Sequence, residues 1–191
     1  MIYAVKDIRL RGRHNVLNVL AACAISGAAG ATPEAMRAGI EGFTGVEHRL
    51  EFVGEREGVK WYNDSIASAP ERVVAALKSF EEPIVLLAGG RDKKLPWEDF
   101  ARLAKTRVKY LVLFGEAGPL IQRAVEAVNM DRAQYTLCAK LGEAVQVAAG
   151  IAERGDVVLL SPGGTSFDEF TDFAERGEKF KEWVRELTHT G

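Results

Sequence analysis

Cysteine is scarce in this chain: Cys23 and Cys138 are the only two. They form no disulfide framework and no metal-ligand spacing. Histidine is scarce as well, and His14, His48 and His189 are too far apart in sequence to suggest a zinc site. No segment concentrates Lys and Arg, and the formal net charge is −2, which argues against a nucleic-acid binder held by phosphate contacts. The longest apolar stretch, residues 16–31, is shorter than a membrane span and is interrupted by Asn18, Ser26 and Gly27. The N-terminus shows no signal-peptide pattern. A reduced, cytoplasmic setting with no membrane partner is the expectation. Three ligand motifs are also missing. There is no G-x-x-x-x-G-K-[ST] phosphate loop, no G-x-G-x-x-G after the first strand and no G-x-S-x-G elbow. A free-standing NTPase, a dehydrogenase and an α/β-hydrolase are thereby disfavoured.

What is present is ordinary globular material: 191 residues, 47% hydrophobic and 27% charged, enough for one domain and part of another. Residues 14–30 are apolar nearly all round, which predicts a buried helix ending near Gly30, with Cys23 as a small buried hydrophobe. Thr32 and Pro33 mark the start of a second helix running to about Gly42. Two such helices cannot bury their faces alone, so residues 1–45 read as the tail of a preceding domain and 46–191 as a second domain. From residue 46 the pattern alternates. Residues 50–53 and 59–62 flank a glycine turn and predict a hairpin. The runs at 84–88 (IVLLA), 110–114 (YLVLF) and 157–160 (VVLL) suit strands covered on both faces, with a weaker strand near 135–138. Helical patterns lie at about 68–79, 97–105, 117–128, 140–153 and 169–187. The fold class is therefore α/β, a doubly wound, mostly parallel Rossmann-like sheet.

In open α/β sheets ligands bind beyond the carboxyl ends of the strands. The residues there are Asn63-Asp64-Ser65, Gly89-Gly90-Arg91-Asp92-Lys93, Gly115, and Ser161-Pro162-Gly163-Gly164-Thr165-Ser166. Glycines let backbone N–H groups approach a ligand, hydroxyls donate, and a lysine brings mobile positive charge. Each segment alone also has a plain structural reading. Gly89-Gly90 fits a tight turn, Lys93 a solvated surface lysine, and Asp64 a cap for the next helix. Ser166 or Asp168 fits the N-cap of the last helix. Their convergence on one sheet edge points to a polar, charged ligand.

Five ordered segments resemble the Mur ligase family, and within it the branch that adds D-glutamate. Gly12-Arg13-His14-Asn15-Val16-Leu17-Asn18 resembles the G-R-H-N-x-x-N segment closing the central ATPase domain. Glu47-His48-Arg49-Leu50-Glu51 resembles the H-R-x-E segment opening the C-terminal domain. Asn63-Asp64-Ser65-Ile66-Ala67-Ser68 is similar to N-D-S-K-A-T, and Gly89-Gly90-Arg91-Asp92-Lys93 to G-G-x-D-K. The block from Ser161 through Phe170, Phe173, Arg176 and Gly177 resembles S-P-x-x-x-S-x-D-x-F-x-x-F-x-x-R-G. The D-Y-A-H-type and D-N-P-R segments of the lysine- and diaminopimelate-adding relatives are absent. Folylpolyglutamate synthases share the architecture but not this combination.

The resemblance implies an ATP-dependent ligase of peptidoglycan precursor synthesis. ATP phosphorylates the carboxylate of UDP-N-acetylmuramoyl-L-alanine, and the amine of D-glutamate attacks the acyl phosphate, with Mg2+ bridging the phosphates. It further implies that Asn15, Asn18, Arg49 and Asp64 bind ATP. Lys93, Ser68, Ser166 and Phe173 would bind D-glutamate, and Arg49 and Lys93 would act in catalysis. No metal ligand is expected in this stretch. The uridine-binding domain, the P-loop and the magnesium ligands are expected to precede Met1, so the stretch alone is expected to be inactive. Two residues depart from the pattern: Ile66 stands where the motif has lysine, and Ser68 where it has threonine. Two other readings stay open: a related ligase with another acceptor, and a non-catalytic binding module on the same fold.

Overall fold

The computed structural model describes residues 2–8 and 10–189, with the backbone alone described at Arg13, His14, Thr188 and His189. It divides into two compact units, residues 1–46 and 47–191.

The first unit is a helical pair, α1 (Arg13–Ala28) and α2 (Pro33–Gly42). Gly30, at φ +90°, closes α1 in the left-handed conformation. The amides of Gly30 and Ala31 return to the carbonyls of Gly27 and Ser26, the paired pattern that satisfies the last turn of a helix. The Thr32 hydroxyl accepts from the Ala35 amide at 3.2 Å and starts α2, with Pro33 in its first turn. The expected burial of α1 does not hold within this unit. Leu17, Leu20 and Ile25 are more than half exposed, and Cys23 is only half-buried. A helix apolar on every side needs neighbours on every side, and α2 covers one stripe of it. Met36 packs over Gly27 there, beside a groove of about 280 Å³ lined by Val19, Ala22, Cys23, Ala35 and Ile40.

The second unit is a three-layer α/β sandwich. The hairpin strands β1 (Glu51–Arg56) and β2 (Val59–Asn63) pair antiparallel. Their turn places Glu57 and Gly58 at positive φ, the geometry that matches strand twist in two-residue hairpins. Then follow α3 (Pro70–Leu77), β3 (Ile84–Gly89), α4 (Glu98–Arg107), β4 (Val108–Phe114) and α5 (Gly118–Ala127). The chain ends with β5 (Tyr135–Leu137), α6 (Leu141–Ile151), β6 (Val157–Gly163) and α7 (Phe173–His189). The strand order is β1-β2-β6-β3-β4-β5, with every pairing after the hairpin parallel.

The apolar runs are divided between two cores by strand alternation. Ile84, Leu86, Leu111, Leu113, Val157 and Leu159 face α3, α4 and α5. Val85, Leu87, Val112, Phe114, Val158 and Leu160 face α6 and α7. These residues are essentially inaccessible, as runs covered on both faces require. The chain winds outward from β3 over one face and returns through α6 over the other, so β6 inserts between β2 and β3. The helix after β3 therefore covers one face and the helix after β6 the other, which makes the carboxyl edge between them a switch point.

Candidate functional site

Three loops meet at that edge: residues 64–69 after β2, 90–97 after β3 and 164–172 after β6. Backbone contacts knit them together. The Gly163 amide donates to the Ala67 carbonyl at 2.8 Å. Arg91 and Thr165 exchange amide-to-carbonyl bonds of 2.8 and 2.9 Å. Gly90 sits at φ +90°, and a methyl group there would lie 2.2 Å from the Thr165 carbonyl oxygen. The glycine permits this close approach of the two loops. Gly89 ends β3 and Gly90 is a bend just beyond it, so the pair marks a strand end at which two site loops come together.

Beneath the loops lies a buried polar floor. Asp64 does not cap the following helix. Its carboxylate accepts from the Ser161 hydroxyl at 2.8 Å and the Leu50 amide at 3.2 Å. Burial pushes Asp64 up to about 7, against the pull of the Ser161 and Leu50 donors and the charges of Arg49 and Arg72. Ser65, fully buried, donates its hydroxyl to the Phe173 carbonyl at 2.7 Å. Arg176 has no exposed surface. Its guanidinium donates to Ser65 Oγ at 3.0 Å, the Ser65 carbonyl at 2.8 Å and the Gly164 carbonyl at 3.2 Å. Burial lowers Arg176 to about 10, with Asp168 opposing, so it stays charged near neutral pH. One side chain thus joins the loops after β2 and β6 to the start of α7.

A second buried group ties the segment carrying Arg49 to the same floor. The Asn63 amide nitrogen lies 3.0 Å from His48 Nδ1 and donates to Glu51 Oε2 at 3.0 Å. Glu51 also accepts the His48 amide at 2.9 Å and Lys181 Nζ at 3.1 Å, while Lys181 pairs with Glu178 at 2.7 Å. Burial works to raise Glu51, yet the His48 amide, Lys181 and Asn63 hold it below the usual carboxylate range. Gly177 admits this cluster, since a methyl there would fall 2.2 Å from His48 Nδ1.

The candidate residues are distributed as follows. Ser68, half-buried, lies on the loop after β2; Lys93, exposed, on the loop after β3; Ser166, buried, on the loop after β6. With Asp64 they occupy neighbouring strand ends. Lys93 makes no hydrogen bond or ion pair with the described residues. Phe173 opens α7, 39% exposed, with its ring edge-on to His48 at 5.9 Å. Arg49 is exposed on the segment before β1. Asn15 and Asn18 belong to the other unit. They share a face of α1, with Asn18 Nδ2 donating to Asn15 Oδ1 at 3.2 Å and Asn15 Nδ2 to the Arg11 carbonyl at 2.7 Å. Neither Ser166 nor Asp168 caps the last helix. Its first turn is held by Asp172, which accepts the Glu175 amide at 2.7 Å. Asp168 instead accepts the Glu116 amide at 3.2 Å. The partners His48, Asn63, Glu51, Lys181 and Arg176 were given no role by sequence. The signal was there in H-R-x-E and R-G, but pattern alone does not tell a buried strut from a ligand contact.

Among the described residues no group of three or more His, Cys, Asp or Glu stands ready to hold a metal ion. No helix of the described residues is long and apolar enough to cross a membrane.

The fold and its edge define a doubly wound domain that gathers a cation and hydroxyls at a parallel-sheet switch point. Residues 48–164 match the family described as Mur ligase, glutamate ligase domain, and the chain belongs to that family. It is 44% identical over 186 residues to a UDP-N-acetylmuramoylalanine–D-glutamate ligase of Clostridium tetani, covering 96% of this chain and 40% of the relative. A Clostridium botulinum protein of the same name is also 44% identical, over 95% of this chain and 40% of its own length. The chain thus spans 40% of the length of these relatives. Among solved structures, the UDP-N-acetylmuramate–alanine ligase of Thermotoga maritima superposes with a TM-score of 0.70 at 21% identity, over 93% of this chain and 39% of that one. The folylpolyglutamate synthase of the same organism gives 0.61 at 19% identity, over 95% and 40%. At such identities these two likenesses speak for the fold.

Proposed function

We propose that this chain is the acceptor-binding part of the ATP-dependent ligase that joins D-glutamate to UDP-N-acetylmuramoyl-L-alanine in peptidoglycan precursor synthesis. One observation carries the reading. Lys93, unpartnered among the described residues, shares a sheet edge with Ser68 and Ser166 from the two neighbouring site loops. A dicarboxylate calls for a cation and several donors from different directions, and this edge supplies them. Relatives at 44% identity bear that enzyme's name, which supports the acceptor.

In this reading the substrate carboxylate oxygen attacks the γ-phosphorus of ATP and ADP leaves. The D-glutamate nitrogen then attacks the acyl carbon, a tetrahedral intermediate forms, and phosphate departs as the amide bond closes. Lys93, Ser68 and Ser166 hold the D-glutamate carboxylates with Phe173 alongside, which orients the amine. Arg49 lies on the nucleotide phosphates, where a fixed guanidinium stabilises transferring charge. Asp64 approaches the ribose, and Asn15 and Asn18 offer amide donors and acceptors to the adenine. Magnesium finds no fitting ligand set among the described residues. The P-loop motif is absent from the 191 residues; this stretch alone neither binds ATP tightly nor ligates. The nucleotide-linked substrate and ATP place the reaction in the cytoplasm.

Replacing Lys93 with Ala tests the reading. Loss of a charge-assisted hydrogen bond should raise the D-glutamate KM of the full-length ligase about 10- to 100-fold. An unchanged KM would refute the role of Lys93. Ile66 favours a second reading, a ligase with a different acceptor, because the lysine of the N-D-S-K-A-T pattern is replaced by an apolar, half-buried side chain. A preference for an acceptor other than D-glutamate would support it.

A further inference from the structure

The loop that carries Lys93 is fastened on both sides of it. Upstream, Arg91 is held through both its amide and its carbonyl by Thr165. Downstream, the Asp92 carboxylate spans the turn. Its Oδ2 accepts the Lys94 amide at 2.9 Å, and its Oδ1 accepts Trp97 Nε1 at 3.3 Å. Lys94 sits at φ +58°, a left-handed conformation that a non-glycine residue keeps when its surroundings hold it there. Trp97 is a firm anchor. It is 4% exposed, its ring stands edge-on to Phe100 at 5.3 Å, and it covers Gly163 so closely that a methyl there would fall 2.6 Å from it.

Between these two fastenings Lys93 is exposed and makes no hydrogen bond or ion pair with the described residues. Its sequence neighbour Asp92 carries the opposite charge. Both Asp92 oxygens, however, are engaged by donors of the loop itself.

We propose that Asp92 is a positioning residue for the acceptor: it fixes the turn that presents Lys93 to a substrate carboxylate, and it keeps its own charge turned to the loop. The proposal rests on the reading of Lys93 as the acceptor's cation and adds the residue that holds that cation in place. Asp92 touches no reacting atom; it acts through Lys93. An asparagine retains one carbonyl oxygen for one of the two donors and aims an N–H at the other. Alanine serves neither.

The test is steady-state kinetics of the full-length ligase carrying Asp92→Ala, Asp92→Asn or Trp97→Phe, each alone and combined with Lys93→Ala. Asp92→Ala should raise the D-glutamate KM about tenfold, with kcat within about twofold and the ATP KM unchanged. Asp92→Asn and Trp97→Phe, which each spare one of the two bonds and perturb the fold least, should raise it about threefold. In the Lys93→Ala background all three should add less than about twofold, because the group they position is gone. Full multiplication of the two effects, or an unchanged KM in the single Asp92 variants, would overturn the proposal while leaving Lys93 its role. If Lys93→Ala itself leaves the KM unchanged, the acceptor reading falls and the proposal falls with it.

Discussion

Arg176 and Lys93 are two cations of one site with opposite circumstances. Arg176 has no exposed surface, and its guanidinium donates to Ser65 and Gly164. Lys93 stands in solvent with no partner among the described residues. The contrast extends to their surroundings. The floor of Asp64, Ser65, Asn63, Ser161 and Arg176 is buried and internally satisfied, whereas the rim of Ser68, Lys93 and Phe173 is partly or wholly exposed. A polar group spends its hydrogen bonds either on the fold or on a ligand. Substitutions in the floor should therefore act mainly on stability, and in the proposed reading substitutions of Lys93 on the rim should act mainly on binding.

The largest effect belongs to the floor. Arg176→Met leaves the carbonyls of Ser65 and Gly164 buried without their donor and should destabilise the chain by about 4 kcal/mol. Urea denaturation followed through Trp61, Trp97 and Trp183 reads it. A loss under about 1 kcal/mol would mean that the loops hold each other without the guanidinium.

Next comes Asp64. Its folded pKa, about 7, is raised above the ordinary carboxylate range. The folded state therefore favours the protonated form. The stability that this residue contributes is complete below about pH 4 and is lost as pH rises through about 7. Asp64→Asn should flatten the fall in stability across that window by about 3 kcal/mol. An identical pH profile in the variant would contradict the assignment. Gly177→Ala should come third. In an unencumbered helix the change stabilises by up to about 1 kcal/mol. Here the methyl meets His48 and Asn63, and a net loss of about 2 kcal/mol is expected. A gain in melting temperature would show that the cluster yields.

The smallest stability effect belongs to the rim. Lys93→Ala should leave unfolding free energy within about 0.5 kcal/mol of the parent while raising the acceptor KM. A large loss of stability would place Lys93 with the floor and erase the contrast.

The sequence disclosed the rim better than the floor, for a physical reason. Runs such as 84–88 and 157–160 admit one arrangement, strands covered on both faces, so their ends and the loops beyond them could be located from pattern alone. An exposed lysine such as Lys93 stands out on those loops because nothing local requires it. Arg176 looks like any helical arginine in sequence, since its burial depends on partners such as Ser65, 111 residues away. The same nonlocality misplaced the start of the last helix: Ser166 and Asp168 have capping chemistry, but the turn that stabilises α7 is built on Asp172. The helix at residues 13–28 erred in the other direction. Its apolar surface was legible, yet burial also needs neighbours, and within its own unit α2 covers only one side.

The most direct measurement is ADP release by the full-length ligase with UDP-N-acetylmuramoyl-L-alanine, ATP and magnesium, offered D-glutamate, L-glutamate, L-lysine or diaminopimelate in turn. Release that depends on D-glutamate alone is the predicted result and makes Ile66 a tolerated variation. Release driven by another acceptor, or by none of the four, would contradict the assigned acceptor and turn attention to Ile66 and the loop that carries Lys93.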